Sequence, residues 1–245
     1  MVSIPDYGDP TLTAMLEAVE KNQKRQDRNY LGASLIGEPC SRKIWYQYNK
    51  YEQAPSSAIG LVAAESGHYA EDVTASRLRL LPFIELHTHD ESGNQYGWAS
   101  ADGKMAGHYD GLIRGIIQAP KAIHIWEHKD KDHKKFSDFQ NKKAKFGDKN
   151  TLKNWDEVYY GQAQINMHHA KIDGKNIDRH YMTVSYAGAR KYDSCRTYYD
   201  PVYAEMLVNK GYSIIENPSP PRRVSEQKDF FLCRFCNFKE ICHGG

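Results

Sequence analysis

The chain has 245 residues, 40% of them hydrophobic and 26% charged, with a formal net charge of +2 at pH 7. That length can bury a full core and reads as a single domain, and so small a net charge excludes bulk electrostatics as proof of a nucleic-acid partner, although a groove can still be basic locally. No apolar run approaches the roughly 18 residues of a membrane span, residues 1–8 lack a secretion signal, and five cysteines suit a disulfide framework poorly, so the chain reads as cytoplasmic with metal- or cluster-binding cysteines.

Asp9-Pro10 carries the signature of a helix N-cap followed by proline at the first helical position. It predicts a helix to about Arg25, with Leu12, Met15, Leu16 and Val19 on one face. A second helix, starting at Ser34 or Glu38-Pro39, carries Cys40, Ile44, Trp45 and Tyr48. A third spans about 57–81 and contains Gly67, where glycine costs about 1 kcal/mol relative to alanine, so close packing or ligand access is expected there. Strands follow over 83–86, 97–100, 104–115 and 122–128, separated by Gly, Asn and Asp turns. The lysine-rich stretch 130–154 shows no clean period and reads as a surface excursion. A helix over 155–170, a strand over 179–186 and a helix from Asp200-Pro201 to about Ile215 complete the core. Pro218, Pro220 and Pro221 then break the chain before a cysteine-rich tail. The order predicts an α/β fold, a mixed sheet flanked by helices.

Three residues concentrate the chemistry. Glu127 and Lys129 lie two apart at the end of a strand, so they project from one face about 7 Å apart, and Asp110 closes the preceding strand. Two carboxylates and a lysine at strand ends suit phosphodiester hydrolysis assisted by Mg²⁺ or Mn²⁺. Mg²⁺ takes one or two carboxylates and keeps several waters, and the carbonyl of His128 could add an oxygen. Lys129 would orient the water, lower its pKa or neutralise the phosphate. The competing reading of an acid-x-lysine triplet is a strand-end salt bridge. The basic clusters Arg77/Arg79, 129–149 and Arg222-Arg223 read as solvated faces as readily as a nucleic-acid groove.

With Gly67-His68-Tyr69-Ala70-Glu71 upstream and Tyr160-x-Gln162-x-Gln164 downstream, the chain resembles the PD-(D/E)XK nuclease superfamily. The likeness is to RecB-like exonucleases, including the CRISPR-associated ones, and to lambda-type phage exonucleases. The resemblance implies a restriction-endonuclease-like core over 57–216. It also implies metal ligands Glu71, Asp110 and Glu127, a catalytic Lys129, and Gln162 contacting the scissile phosphate or the lysine. Glu71 falls four after Gly67, as in the lambda-type enzymes, which leaves His68 out of register with the RecB-like metal histidine. His68 reads first as a partly buried or surface residue, and Gln164 as facing packing or DNA.

The tail reads Cys233-x₂-Cys236-x₅-Cys242, three thiolates within reach of one centre, and Cys40 is the expected fourth because Cys195 has no partner spacing. Cys195 reads as a small buried hydrophobe. Four thiolates fit structural zinc or a [4Fe–4S] cluster, and spacing does not separate them. The resemblance favours the cluster, held by a clasp of 30–56 and 224–245 that joins the two chain ends. His243 is a minor competing ligand.

The expected function is therefore a metal-dependent DNA exonuclease acting on single strands or duplex ends, 5′ to 3′ by resemblance, in phage or prokaryotic recombination, replication or repair. A homo-oligomer or a recombination or replication partner protein is compatible with it. The alternatives are a non-catalytic DNA-end-binding or assembly subunit and a zinc-stabilised regulatory protein. No P-loop pattern is present, which argues against ATP-driven unwinding by this chain.

Overall fold

The computed structural model describes residues 8–23 and 28–244. Helix α1 (Pro10–Lys21) is capped by Asp9, whose carboxylate accepts from the N–H groups of Thr11 and Leu12. It ends four residues short of the expected Arg25, which lies outside the described residues. Strand β1 (Leu31–Gly32) leads directly into the short α2 (Ala33–Ile36). Cys40 is the N-cap residue of α3 (Ser41–Tyr48) rather than a member of it. Helix α4 (Ala58–Leu78) starts where the Ser57 hydroxyl accepts from Gly60 N–H. A Cβ at Gly67 would meet nothing within 4 Å, so close packing is not the reason for that glycine.

Strands β2 (Glu85–His87), β3 (Gly97–Ala99), β4 (Met105–His108), β5 (Gly111–Arg114) and β6 (His124–Lys131) follow. The single strand expected over 104–115 is two strands in two sheets. β4 lies in a three-stranded sheet of order β1-β4-β3, while β5 belongs to a five-stranded sheet of order β2-β5-β6-β7-β8. Tyr109 and Asp110 are the crossing between them. The apolar pattern runs through this junction without a break because Tyr109 is itself buried, so periodicity does not reveal the change of sheet.

The stretch expected to be an irregular surface excursion is largely helical: α5 (His133–Phe146), a 3-10 turn (Asp148–Asn150) and α6 (Thr151–Trp155). Asp132 caps α5 by accepting from Lys135 N–H. Phe136 and Phe139, one turn apart, are the residues α5 buries, and they join Leu152 and Trp155 in one apolar cluster. Two anchors in a lysine-rich run are too few to show a period. Asp156 then caps α7 (Glu157–Ile172) through Val158 and Tyr159 N–H, so the helix expected from 155 starts two residues later and Trp155 ends α6 instead.

Strand β7 (Arg179–Tyr186) pairs parallel with β6, and β8 (Lys191–Tyr198) pairs antiparallel with β7. β8 is not foreseen by the sequence. It is an edge strand in which Cys195 and Thr197 are the buried residues, so its alternation is short and polar. Helix α8 (Pro201–Ile215) repeats the Asp-Pro cap, and α9 (Phe231–Arg234) and α10 (Lys239–His243) form the tail. Alternate residues of β6 face opposite layers: Trp126 packs with Ala75 of α4, and Ile125 with Ile165 and Met167 of α7. The result is a mixed sheet flanked by helices. Among the described residues no helix is long and apolar enough to cross a membrane.

Candidate active site

The site forms where β5 and β6 part. Their antiparallel register pairs Gly111 with Trp126, and one further step along the same ladder would set Asp110 opposite Glu127. The chain turns toward the other sheet at that point, so the ladder stops, and the Asp110 carboxylate takes the place of a strand. Its Oδ2 accepts from the His128 N–H at 2.7 Å. The N–H and C=O of one strand residue point to the same edge, so the His128 carbonyl also faces this opening. The His128 imidazole lies on the opposite face of the strand. Its Nδ1 lies 2.9 Å from the Thr183 hydroxyl and its Nε2 3.1 Å from that of Ser185. Burial, reinforced by the charge of Lys129, lowers its pKa to about 4, which keeps the ring neutral.

Glu127 is buried on the α7 side of β6. Its Oε1 accepts from Lys129 Nζ at 2.6 Å and from Gln162 Nε2 at 2.9 Å, while its Oε2 is buried with no partner. The pair is thus the expected salt bridge, but one with an orphaned oxygen beside a second acid. Burial and then the Asp110 charge push the Glu127 pKa up to about 7, outweighing Lys129 and Gln162. Asp110 rises to about 6, chiefly by burial and also by repulsion from Glu71, against the pull of Lys129. Glu71 rises to about 7 by burial and then by the charge of Glu127. It reaches the opening from α4, one turn before Thr74 and Ala75, which face the sheet. Burial opposes the charge on Lys129, yet Glu127 and Asp110 hold its pKa above the usual lysine range.

Glu71, Asp110, Glu127, Lys129 and Gln162 are therefore neighbours drawn from three elements and one junction. Gln162 holds Glu127 rather than lying directly on the lysine. Gln164 is structural: its amide donates to Tyr198 O at 2.9 Å and its Oε1 accepts from Asp200 N–H at 2.8 Å. His68 is exposed. Arg77 bonds Ala189 O and the Tyr192 hydroxyl, and Arg79 bonds Leu86 O and Thr88, so this basic pair ties α4 to its neighbours.

Lys131 and Tyr159 extend this site. β6 runs two residues beyond Lys129, and Lys131 continues the face that carries Glu127 and Lys129. Its Nζ donates to the Tyr159 hydroxyl at 2.6 Å, and Tyr159 stands one turn before Gln162 on α7. The period-two continuation of Glu127-x-Lys129 was the available signal.

At the tail, Cys40, Cys233, Cys236 and Cys242 line one small cavity, along with Arg42, Lys43, Arg223 and Lys239. Burial and the neighbouring thiols push Cys233 up, and burial is the main cause of the same direction at Cys236. Arg223 Nε donates to Cys242 O at 2.8 Å, Ala54 N–H to Asn237 O at 2.9 Å, and Tyr46 packs on Phe238. Among the described residues no group of three or more His, Cys, Asp or Glu side chains is already arranged to hold a metal ion, here or at the carboxylates. Cys195 stands apart, fully buried in β8, with burial raising its thiol to about 12.

No protein-family profile and no curated protein sequence matches the chain. Among solved structures it is similar to an alkaline exonuclease (LHK-Exo) from Laribacter hongkongensis, with TM-score 0.51 and 11% identity over 83% of this chain and 90% of that one. It is also similar to LHK-Exo in complex with dAMP, with TM-score 0.50 and 12% identity over the same shares. The likeness is one of fold.

Proposed function

We propose that the chain is a metal-dependent DNA exonuclease whose cation is held by Glu71, Asp110, Glu127 and the main-chain carbonyl of His128. The observation that carries this reading is Glu127, whose Oε2 is buried without a partner beside a second buried carboxylate. A buried ion pair with an unsatisfied oxygen is a poor device for stability, since a well-packed apolar pair would serve as well or better. A divalent cation at this opening would satisfy the orphaned oxygen and relieve the repulsion among the three carboxylates. The donor set of all-oxygen ligands fits Mg²⁺ or Mn²⁺. When bound, the metal supplies a Lewis acid for a phosphate oxygen and acidifies its water.

The residues divide the remaining work. Lys129 stays protonated beside Glu127, so it acts as a hydrogen-bond donor and a positive charge rather than as a proton acceptor. From there it stabilises negative charge developing on the attacked phosphate and orients the water. Gln162 fixes the Glu127 rotamer through Oε1, leaving Oε2 toward the cation. The His128 N–H does the same for Asp110 through Oδ2.

The fold shared with an alkaline exonuclease supports DNA as the substrate. Attack in the 5′ to 3′ direction, and a role in phage or prokaryotic recombination, replication or repair, rest on the sequence resemblance. So does a [4Fe–4S] cluster on Cys40, Cys233, Cys236 and Cys242, with zinc as the alternative. Four thiols around one cavity with basic side chains on its wall suit either dianionic tetrathiolate centre.

Digestion of end-labelled DNA by anaerobically purified protein tests this function. Mg²⁺- or Mn²⁺-dependent loss of terminal nucleotides, stopped by EDTA and by Asp110→Ala, is expected. Binding of DNA ends without cleavage in either metal would favour the non-catalytic reading instead.

A further inference from the structure

We infer that Lys131 and Tyr159 form a second phosphate-binding position, which grips the backbone phosphate next to the one being cleaved. The inference rests on the nuclease reading above and extends it to the substrate's neighbouring nucleotide.

Glu127, Lys129 and Lys131 share one face of β6, each two residues from the last. Two residues of strand advance about 6.6 Å. That step is comparable to the distance between successive phosphates of an extended DNA strand. A strand with its scissile phosphate at Lys129 therefore brings a neighbouring phosphate to Lys131.

The chemistry of Lys131 points the same way. Lys129 has a carboxylate partner in Glu127, and Lys143 has one in Asp193. Lys131 is half-buried, and among the described residues its side chain has no carboxylate partner. Its hydrogen bond goes to the neutral Tyr159 hydroxyl, and the ammonium stands 4.9 Å from that ring's centroid. An ammonium has three donors, so two remain for an anion. The same ring lies 5.4 Å from Lys129 Nζ. Tyr159 therefore lies close to both ammonium groups, and its hydroxyl anchors that of Lys131 beside Lys129. Helix α7 thus positions both: Gln162 fixes the acid and Tyr159 the second cation. In this arrangement Lys131 contacts substrate and Tyr159 is a positioning residue.

The test uses single-stranded oligodeoxynucleotides with one neutral methylphosphonate linkage, placed one step from the cleaved bond on either side. Affinity is read with Ca²⁺, and cleavage with Mg²⁺. The wild-type chain is expected to lose about tenfold in affinity when one of the two neighbouring linkages is neutral. Lys131→Met should lose about tenfold on the all-phosphate strand and then be indifferent to the neutral linkage. Its plot of log affinity against log salt should flatten by about 0.7, the value for one phosphate contact on a single strand. Lys131→Arg should recover most of the loss, and Tyr159→Phe should share part of it in KM with kcat little changed.

A Lys131→Met protein that keeps the wild-type salt slope and the wild-type response to the neutral linkage overturns this inference while leaving the nuclease reading intact. A wild-type chain that neither binds nor cleaves the all-phosphate strand overturns the nuclease reading, and the second phosphate position with it.

Discussion

Asp110 and Glu127 face each other across the point where two strands separate, and each has one oxygen fixed by a donor of the protein. Asp110 Oδ2 accepts from the His128 N–H at 2.7 Å, and Glu127 Oε1 accepts from Lys129 and Gln162. The fixed oxygens orient the carboxylates, and Glu127 Oε2 is left for a ligand that the polypeptide does not provide.

Replacing Lys129 by methionine keeps the stem and removes the charge. Cleavage should fall about 10²- to 10³-fold, the scale of losing one donor aimed at developing charge. The loss should appear in kcat. Folding, followed by thermal melting, should suffer little, because Glu127 without its partner becomes protonated instead of remaining a lone buried charge. A variant with wild-type kcat would remove Lys129 from the reaction.

The three carboxylates make metal-free stability depend on pH. Glu127 and Glu71 titrate at about 7 and Asp110 at about 6 in the folded chain, against 4.5 and 3.8 for the free groups. Folded values above unfolded ones mean that the stabilising contribution is complete at low pH and is lost as pH rises through about 7. Melting of the metal-free protein should therefore drop between about pH 4 and 7 and level off above that. Mn²⁺ favours the ionised forms, so it should raise the melting temperature more at pH 8 than at pH 6. Equal shifts at both values would contradict the arrangement.

His180 acts in the opposite direction. It is fully buried, both ring nitrogens lack partners, and burial followed by the charges of Lys129 and His124 lowers its pKa to about 3. A depressed folded value gives stability that is present above pH 6.5 and is lost as pH falls toward about 3. Its loss approaches about 1.4 kcal/mol per pH unit. His180→Leu should flatten the acid side of the stability profile, as read by urea titration from pH 6.5 to 5. An unchanged slope would place the acid sensitivity elsewhere.

Two glycines should respond in opposite ways to alanine. A Cβ at Gly161 would sit 2.7 Å from Gly37 Cα, where α7 crosses the end of α2, so Gly161→Ala forces the helices apart. A cost of about 1–3 kcal/mol is expected, with reduced activity because Gln162 moves with it. Gly67 faces open space, and Gly67→Ala should stabilise α4 by up to about 1 kcal/mol. Melting curves of the two variants settle the comparison.

Cys40→Ala should bleach the protein and lower its melting temperature, whereas Cys195→Ala should leave colour and metal content unchanged. Cys40 shares a cavity with three tail cysteines, and Cys195 is enclosed in β8. Iron and sulfide analysis beside zinc analysis identifies the centre. A Cys40→Ala protein with full metal content would exclude the clasp.

What the sequence showed, and what it did not, follows from how local each signal is. The two Asp-Pro caps act within one turn of helix, and they appear where expected. The grouping of Glu71, Asp110, Glu127 and Gln162 was legible only as an order of motifs along the chain. The split between β4 and β5 was hidden because Tyr109 continues the apolar pattern through the junction. α5 was hidden because Phe136 and Phe139 are its only deep anchors among lysines, and β8 because an edge strand shows little alternation. Lys131 was legible only as part of the basic run 129–149, because its strand was expected to end before it.

The central claim is that Asp110 and Glu127 share one divalent cation. Mn²⁺ binding, followed by its paramagnetic resonance signal at pH 8 in wild type, Asp110→Asn and Glu127→Gln, tests it most directly. One bound Mn²⁺ in the wild type, lost in both variants while each stays folded, is the predicted result. Wild-type affinity retained in either variant would contradict the claim.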